Sequence, residues 1–414
     1  MRISELTLTD FRSYAEAQLE LSEGPTVLLG FNGVGKTNIA EAIGYLSTLS
    51  SHRVTNDAPL VRHGQSQAFI RAQAHKGRQS AFLDLEINPG RSNRARINRG
   101  SAVRATEILG ILRSVLFAPE DLELVKGSPE VRRRLFDSLA VQLRPALGRV
   151  RADYEKVLRQ RNALLKSIRH EGFTPTHEST LSVWDQQLSA AGARLLRARL
   201  DMLGALRPHV AQAYHELSDS VRTARLSYLS SLTGHESFGS TTAGDDVQQE
   251  ASGALAPEFS PLETASTEEL ATQLLTALEA ARKKERERGI TLVGPHRDDV
   301  QFTLDDTSVK GYASHGETWS FCLALRLGSY RVMLDDDPSD GAAPILILDD
   351  VFAELDARRR RRLADLATGT GSSAGPEQLI VTAAVDDDVP KALLTNAYRV
   401  ESVDQISRVS RYEA

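Results

Sequence analysis

Residues 25–38 read Pro-Thr-Val-Leu-Leu-Gly-Phe-Asn-Gly-Val-Gly-Lys-Thr-Asn, and no other stretch constrains the fold as tightly. Val27-Leu28-Leu29 predicts a buried strand. The run Gly30-x-x-x-x-Gly35-Lys36-Thr37 then fills every fixed position of a phosphate-binding loop. Ile39, Ala42, Ile43 and Leu46 follow at helical spacing. A strand, a glycine-rich turn and a helix N-terminus together make an anion site, because Gly33 and Gly35 let backbone N–H groups turn inward. Gly30, Asn32, Gly33, Val34, Gly35, Lys36, Thr37 and Asn38 are therefore candidate nucleotide contacts. Lys36 is placed to reach the β- and γ-phosphates of ATP, and the Thr37 hydroxyl to hold Mg²⁺.

A second acidic element answers the first. Pro344 and four consecutive Ile/Leu residues lead into Asp349-Asp350, the pattern of a buried strand ending in two carboxylates. Beside a phosphate loop, Asp349 is a candidate Mg²⁺ partner. Asp350 is the candidate for orienting the attacking water, so Asp350 and Lys36 are the expected catalytic pair.

Between these elements the texture changes. Helical periodicity dominates 128–168 and 179–219, broken by Gly172 and Pro175, whereas 231–266 is polar and reads as a long surface loop. A helix over 267–288, strand-like segments over 290–304, a helix over 316–335 and another over 356–367 follow. The expectation is an α/β head built from both chain ends, 1–118 plus 289–414, with a helical lobe inserted at 119–288. One cysteine, Cys322, leaves no disulfide framework. With no apolar run of membrane-spanning length and no export pattern, a soluble cytoplasmic protein is expected, with no membrane partner.

These residues resemble a known family. Gly30–Asn38 followed by Glu41-Ala42-Ile43 is similar to the SMC-like branch of the ABC-type P-loop ATPases. Phe11-Arg12-Ser13-Tyr14, Ser51-His52-Arg53, Phe117-Ala118-Pro119-Glu120-Asp121 and Gly294-Pro295-His296-Arg297-Asp298-Asp299 point within it to the RecF family. The resemblance implies that Ser314, Gly316 and Glu317 form a signature motif. That motif closes on ATP bound by a second copy, in an ATP-dependent homodimer. Asp356 would lie on the loop crossing that interface, Arg12 would contact nucleotide, and His52-Arg53 and His296-Arg297-Asp298 would line or brace the site.

The family's setting is recombinational repair, DNA replication and the SOS response to DNA damage. It implies DNA binding at single-strand/duplex junctions and, with RecO and RecR, loading of RecA. Asp350 in place of the usual glutamate, and Thr382-Ala383 where related heads carry histidine, imply slow ATP hydrolysis, a weak DNA-stimulated switch. Glu120 stands where related heads have glutamine.

The net charge of −5 does not announce a nucleic-acid binder, but the arginines are clustered. Arg91, Arg94, Arg96 and Arg99 are expected on a loop, Arg132–Arg134 at the start of a helix, and Arg358–Arg362 after Asp356. Few clustered aromatics favour backbone contacts to duplex over base stacking. Two other classes share the phosphate loop: a phosphotransferase acting on a small substrate, and an SMC-like structural tether. A second phosphate surface at Ser314 disfavours the first, and the short insert disfavours the second.

Overall fold

The computed structural model describes residues 1–218, 221–233, 255–368 and 375–412. Residues 234–254, most of the polar loop expected at 231–266, lie outside them. The chain divides into two compact units. One comprises Met1–Asp121, Gln212–Ser220 and Ser320–Ala414; the other comprises Leu122–Ala211 and Val221–Trp319. Residues 289–319, grouped with the head in the sequence, thus lie in the second unit.

The first unit carries two six-stranded sheets. An antiparallel sheet runs in the order Tyr14–Glu20, Arg2–Phe11, Ala68–Lys76, Gln79–Ile87, Arg94–Ile97 and Val103–Arg104. The second sheet runs Ile406–Arg411, Ala397–Val403, Gly24–Leu29, Gln378–Ala383, Ile345–Asp349 and Ser114–Phe117; all of its strands are parallel except the edge strand Ile406–Arg411. Ile345 to Leu348 are all buried, as strands covered on both faces require. The helix Lys36–Thr48 joins the sheets: Ile39, Ile43 and Leu46 share one core with Leu6 and Leu8 of the antiparallel sheet and Leu28, Ile347 and Ile380 of the parallel one. Each such fully buried side chain stabilises the fold by roughly 1.5–3 kcal/mol.

Arg94–Ile97, expected in a loop, is a strand. The register explains it: Arg94 sits opposite Glu86 and Arg96 opposite Asp84, so each guanidinium faces a carboxylate across the pair. The C-terminal hairpin Ala397–Val403/Ile406–Arg411 went unread in the sequence. Its signal is weak, because the two-residue turn Asp404-Gln405 takes positive φ at both positions without a glycine.

The second unit holds the helices Leu122–Lys126, Pro129–Leu143, Ala146–Glu171 and Thr267–Arg288, and the larger part of Pro175–Leu217. Arg144-Pro145 splits the first expected helical segment, since proline cannot continue the ladder. Of the strand-like stretch 290–304, only Asp299–Leu304 pairs, with Ala224–Leu229. Residues 291–298 are committed to polar packing instead. Arg161, fully buried, reaches Asp185 at 2.7 Å, Glu285 at 2.6 Å and Thr291 Oγ1 at 2.9 Å. Arg199 forks onto Asp137 at 2.7 and 2.9 Å and donates to the Pro295 carbonyl. Asp298 accepts from Tyr228 Oη and from the Ser231 amide and hydroxyl. The Gly294–Asp299 motif therefore ties the helices of this unit together.

His296 shares a 2.6 Å hydrogen bond with Tyr154 Oη through Nδ1, and its Nε2 faces the Thr291 carbonyl at 3.3 Å. Both contacts are satisfied by the neutral ring with its proton on Nε2. Burial, with Arg297 adding repulsion, pushes its pKa down to about 3. A depressed histidine contributes stability that is full above its unfolded pKa of about 6.5 and is lost as pH falls, because the unfolded chain takes up the proton first. The expected loss is at most about 2 kcal/mol by pH 5. Asp298, held above the usual carboxylate range by burial, works in the opposite sense and offsets part of it. Melting temperatures of wild type and His296→Gln from pH 7 to pH 5 check this: the wild type should fall more steeply. Parallel curves would contradict it.

Candidate functional site

The phosphate loop is shaped by close packing. Gly33 and Gly35 have φ of 83° and 114°, conformations that disfavour a side chain. A Cβ on Gly30 would meet the Val400 carbonyl oxygen at 2.2 Å, and one on Gly35 would meet Ser407 Oγ at 2.5 Å. The C-terminal hairpin thus presses on the loop. Ser407 Oγ donates to the Val34 carbonyl and lies 2.6 Å from Ser13 Oγ, while Asn38 Nδ2 donates to Ser13 Oγ at 2.8 Å. Tyr14 Oη donates to the Gly35 carbonyl at 3.1 Å.

Lys36, 3% exposed, turns its Nζ onto the carbonyls of Gly30 at 2.8 Å and Phe31 at 3.2 Å, with Asn32 Oδ1 at 3.5 Å. Its nearest carboxylate, Asp350, is 3.9 Å away. Across the parallel strands, Thr37 Oγ1 donates to Asp349 Oδ1 at 3.1 Å, joining residues 312 apart in sequence. Thr382 Oγ1 donates to the same oxygen at 2.6 Å and accepts from the Asp350 amide at 2.9 Å. Asp350 itself has φ of 50°, an uncommon conformation at the strand end, and its Oδ1 lies 3.4 Å from the same Thr382 hydroxyl. Burial, then the nearby Asp350 and Glu120 charges, push the Asp349 carboxyl up to about 6, against the pull of the Thr382 and Thr37 hydroxyls. A buried ammonium held mainly by carbonyl oxygens, with one carboxylate at the edge of ion-pair distance, and a buried carboxylate crowded by like charge, suit an anion and a divalent cation respectively.

Beside the loop, Arg12 is engaged by protein. It forks onto Glu41 at 2.8 and 2.6 Å and donates to the Pro59 carbonyl. Burial would raise the Glu41 carboxyl, but the Arg12 and Ser51 hydrogen bonds hold it below the usual range. Arg53 reaches Asn38 Oδ1 at 3.1 Å and lies 3.7 Å from Glu41 and 3.8 Å from Glu120. Burial holds His52 below its ordinary value despite Glu120 and Glu41, and its Nε2 has no hydrogen-bond partner among the described residues. His52-Arg53 therefore stand with the phosphate loop. His296-Arg297-Asp298, by contrast, belong to the second unit and brace its helices.

Ser314, Gly316 and Glu317 also belong to the second unit. Ser314 Oγ accepts from the Glu317 amide at 3.2 Å, and the Glu317 carboxylate accepts from the Ser314 amide at 2.9 Å, a reciprocal cap on the helix His315–Asp336. Arg222 lies 3.2 Å from Glu317. In the first unit Asp356 caps the helix Ala357–Thr368, accepting from the amides of Arg358 and Arg359 and pairing with the Arg359 guanidinium at 2.7 Å. Thr382, Glu41, Ser13 and Ser407 were not read as site residues. Of these, only Thr382 carried a signal, as the end of an apolar strand parallel to the acidic one.

Residues 2–408 match the family model described as the RecF/RecN/SMC N-terminal domain. The DNA replication and repair protein RecF of an Arthrobacter species is 54% identical over 97% of this chain and 97% of its own. The chain belongs to the RecF family. RecF of Streptomyces avermitilis is 48% identical over 97% of this chain and 98% of its own. Among solved structures, the recombination mediator protein RecF-ATPrS in the RecFOR pathway superposes with a TM-score of 0.81 at 23% identity, covering 100% of this chain and 98% of that one. An Smc head bound to the C-winged helix domain of ScpA gives 0.52 at 16% identity, covering 100% of this chain and 98% of that one. The expected α/β ABC-type head is thus the fold of this RecF-family chain. Among the described residues no helix is long and apolar enough to cross a membrane.

Proposed function

We propose that this RecF-family protein is an ATP-gated DNA-binding protein of recombinational repair and replication. The observation that carries the reading is the meeting of Thr37 and Asp349, which places a complete phosphate loop beside an acidic strand end. Lys36 and the loop backbone would hold the triphosphate, and Thr37 with Asp349 would hold Mg²⁺. When bound, ATP supplies the phosphoanhydride bond and Mg²⁺ the charge that stabilises its cleavage. Asp350 is the residue to orient water, and Thr382 holds both carboxylates in place. The single hydroxyl of Thr382, where a histidine would add a cation, suits slow hydrolysis and a switch. Arg12, through Glu41, keeps the Ser51–Arg53 turn against the loop.

Ser314, Gly316 and Glu317 at a helix N-terminus, with Asp356 on a second one, are the surfaces that a second copy would present to the bound nucleotide. ATP then closes a homodimer on duplex DNA at gap junctions, and hydrolysis opens it. RecO and RecR are the partners this reading adopts from the RecFOR setting of the similar structures, and loading of RecA is the outcome that the family resemblance implies. Light scattering of Asp350→Asn with ATP and Mg²⁺ tests the dimer. A doubling of mass is expected, and a monomer that still binds ATP would overturn that part of the reading.

A further inference from the structure

The three consecutive arginines at 132–134 separate in space. Arg132 is buried, with Asp299 at 2.7 and 2.9 Å. Arg134 pairs with Glu130 on the surface at 2.6 Å. Arg133 does neither. Its Nη1 donates to the Asp298 carbonyl at 2.7 Å, and no carboxylate lies within ion-pair distance among the described residues. The two nearby acids are already committed, Asp299 to Arg132 and Asp298 to Tyr228 and Ser231.

Half-buried Arg133 lines an open cleft of about 160 Å³ in the second unit, with Arg134, Arg151, Arg199, Tyr154 and His296. Three of its four guanidiniums are matched: Arg134 by Glu130, Arg151 by Glu155 at 2.9 Å and Arg199 by Asp137. Arg133 is the unmatched charge. Burial and the neighbouring Arg199 lower its pKa, against the pull of the Asp299 and Asp298 charges.

We propose that the Arg133 cleft is a phosphodiester site for the nucleic-acid backbone. One surplus positive charge is balanced by one negative charge, which is what a backbone phosphate carries. Free inorganic phosphate near pH 7 carries more and would reverse the imbalance. Two guanidinium nitrogens can approach two phosphate oxygens at once, a geometry that lysine lacks. The other arginine clusters differ. Arg94 and Arg96 face carboxylates across a strand pair, and Arg359 is paired by Asp356. This inference rests on the proposed DNA binding and names one place where it occurs.

The test is the salt dependence of duplex affinity for the full-length chain with ATP, in wild type, Arg133→Gln and Arg133→Lys. One lost phosphate contact should lower the slope of log affinity against log salt by about 1 in Arg133→Gln. Arg133→Lys, which keeps the charge, should keep the wild-type slope. Melting temperature is followed in parallel. Equal slopes in wild type and Arg133→Gln overturn the proposal and favour an acidic protein partner. Equal slopes together with a melting temperature raised by inorganic phosphate in wild type only favour a free-phosphate site and also overturn it. If both variants lose slope and melting temperature equally, Arg133 is structural and the proposal falls. A wild-type chain that binds no duplex overturns the DNA-binding reading itself, a result distinct from equal slopes.

Discussion

Replacing Lys36 with alanine is expected to weaken ATP binding by about 100-fold or more. In the fold its ammonium is nearly inaccessible and bonded to two carbonyls of its own loop, 3.9 Å from the nearest carboxylate. A charge held this way is positioned for an anion, and each charge-assisted hydrogen bond to phosphate is worth roughly 1.5–3 kcal/mol. Removing the group also leaves the loop carbonyls of Gly30 and Phe31 without their donor. Equilibrium binding of a fluorescent ATP analogue, with the melting temperature of the variant in parallel, checks the prediction. Unchanged affinity in a folded variant would mean that the loop does not bind the triphosphate.

The second large effect is on stability. Arg161→Ala should destabilise the second unit by about 3–5 kcal/mol, because it strands buried carboxylates. Asp185 would keep Arg282 at 2.8 Å, but Glu285 would lose its only guanidinium partner among the described residues. Burial already pushes the Glu285 carboxyl above its ordinary value with Arg161 in place. A Glu285→Gln change in the same chain should therefore restore part of the loss. Denaturant unfolding of the three variants measures this. A rescue of zero would show that the cost lies in the cavity left by the arginine and not in the stranded charge.

How much of this could be read from the chain follows from range. The loop at Gly30–Thr37 and the strand ending at Asp349-Asp350 announce themselves, because each is a local pattern with a local physical cause. Thr382 and Ser407 do not. Their roles come from strands paired across hundreds of residues, and a lone threonine or serine carries no record of its neighbour. The arginine runs mislead for a related reason. Consecutive side chains on a helix leave in different directions, so Arg132 enters a buried ion pair while Arg134 meets solvent. Ser314 reads two ways in the sequence, as a cap or as a phosphate ligand. The structure shows the cap, and a cap leaves the helix N-terminus oriented for the other role. His296-Arg297-Asp298, expected to line or brace the nucleotide site, packs within the helical unit, where its polar groups meet Tyr154, Thr291 and Tyr228.

The central claim is that nucleotide controls the hold on DNA. It is tested most directly by the affinity of the Asp350→Asn protein for a gapped duplex with and without ATP and Mg²⁺. ATP should tighten binding by tenfold or more, about 1.4 kcal/mol, and Lys36→Ala should abolish the difference. Equal affinity in the two conditions, with ATP shown to be bound, would contradict the account.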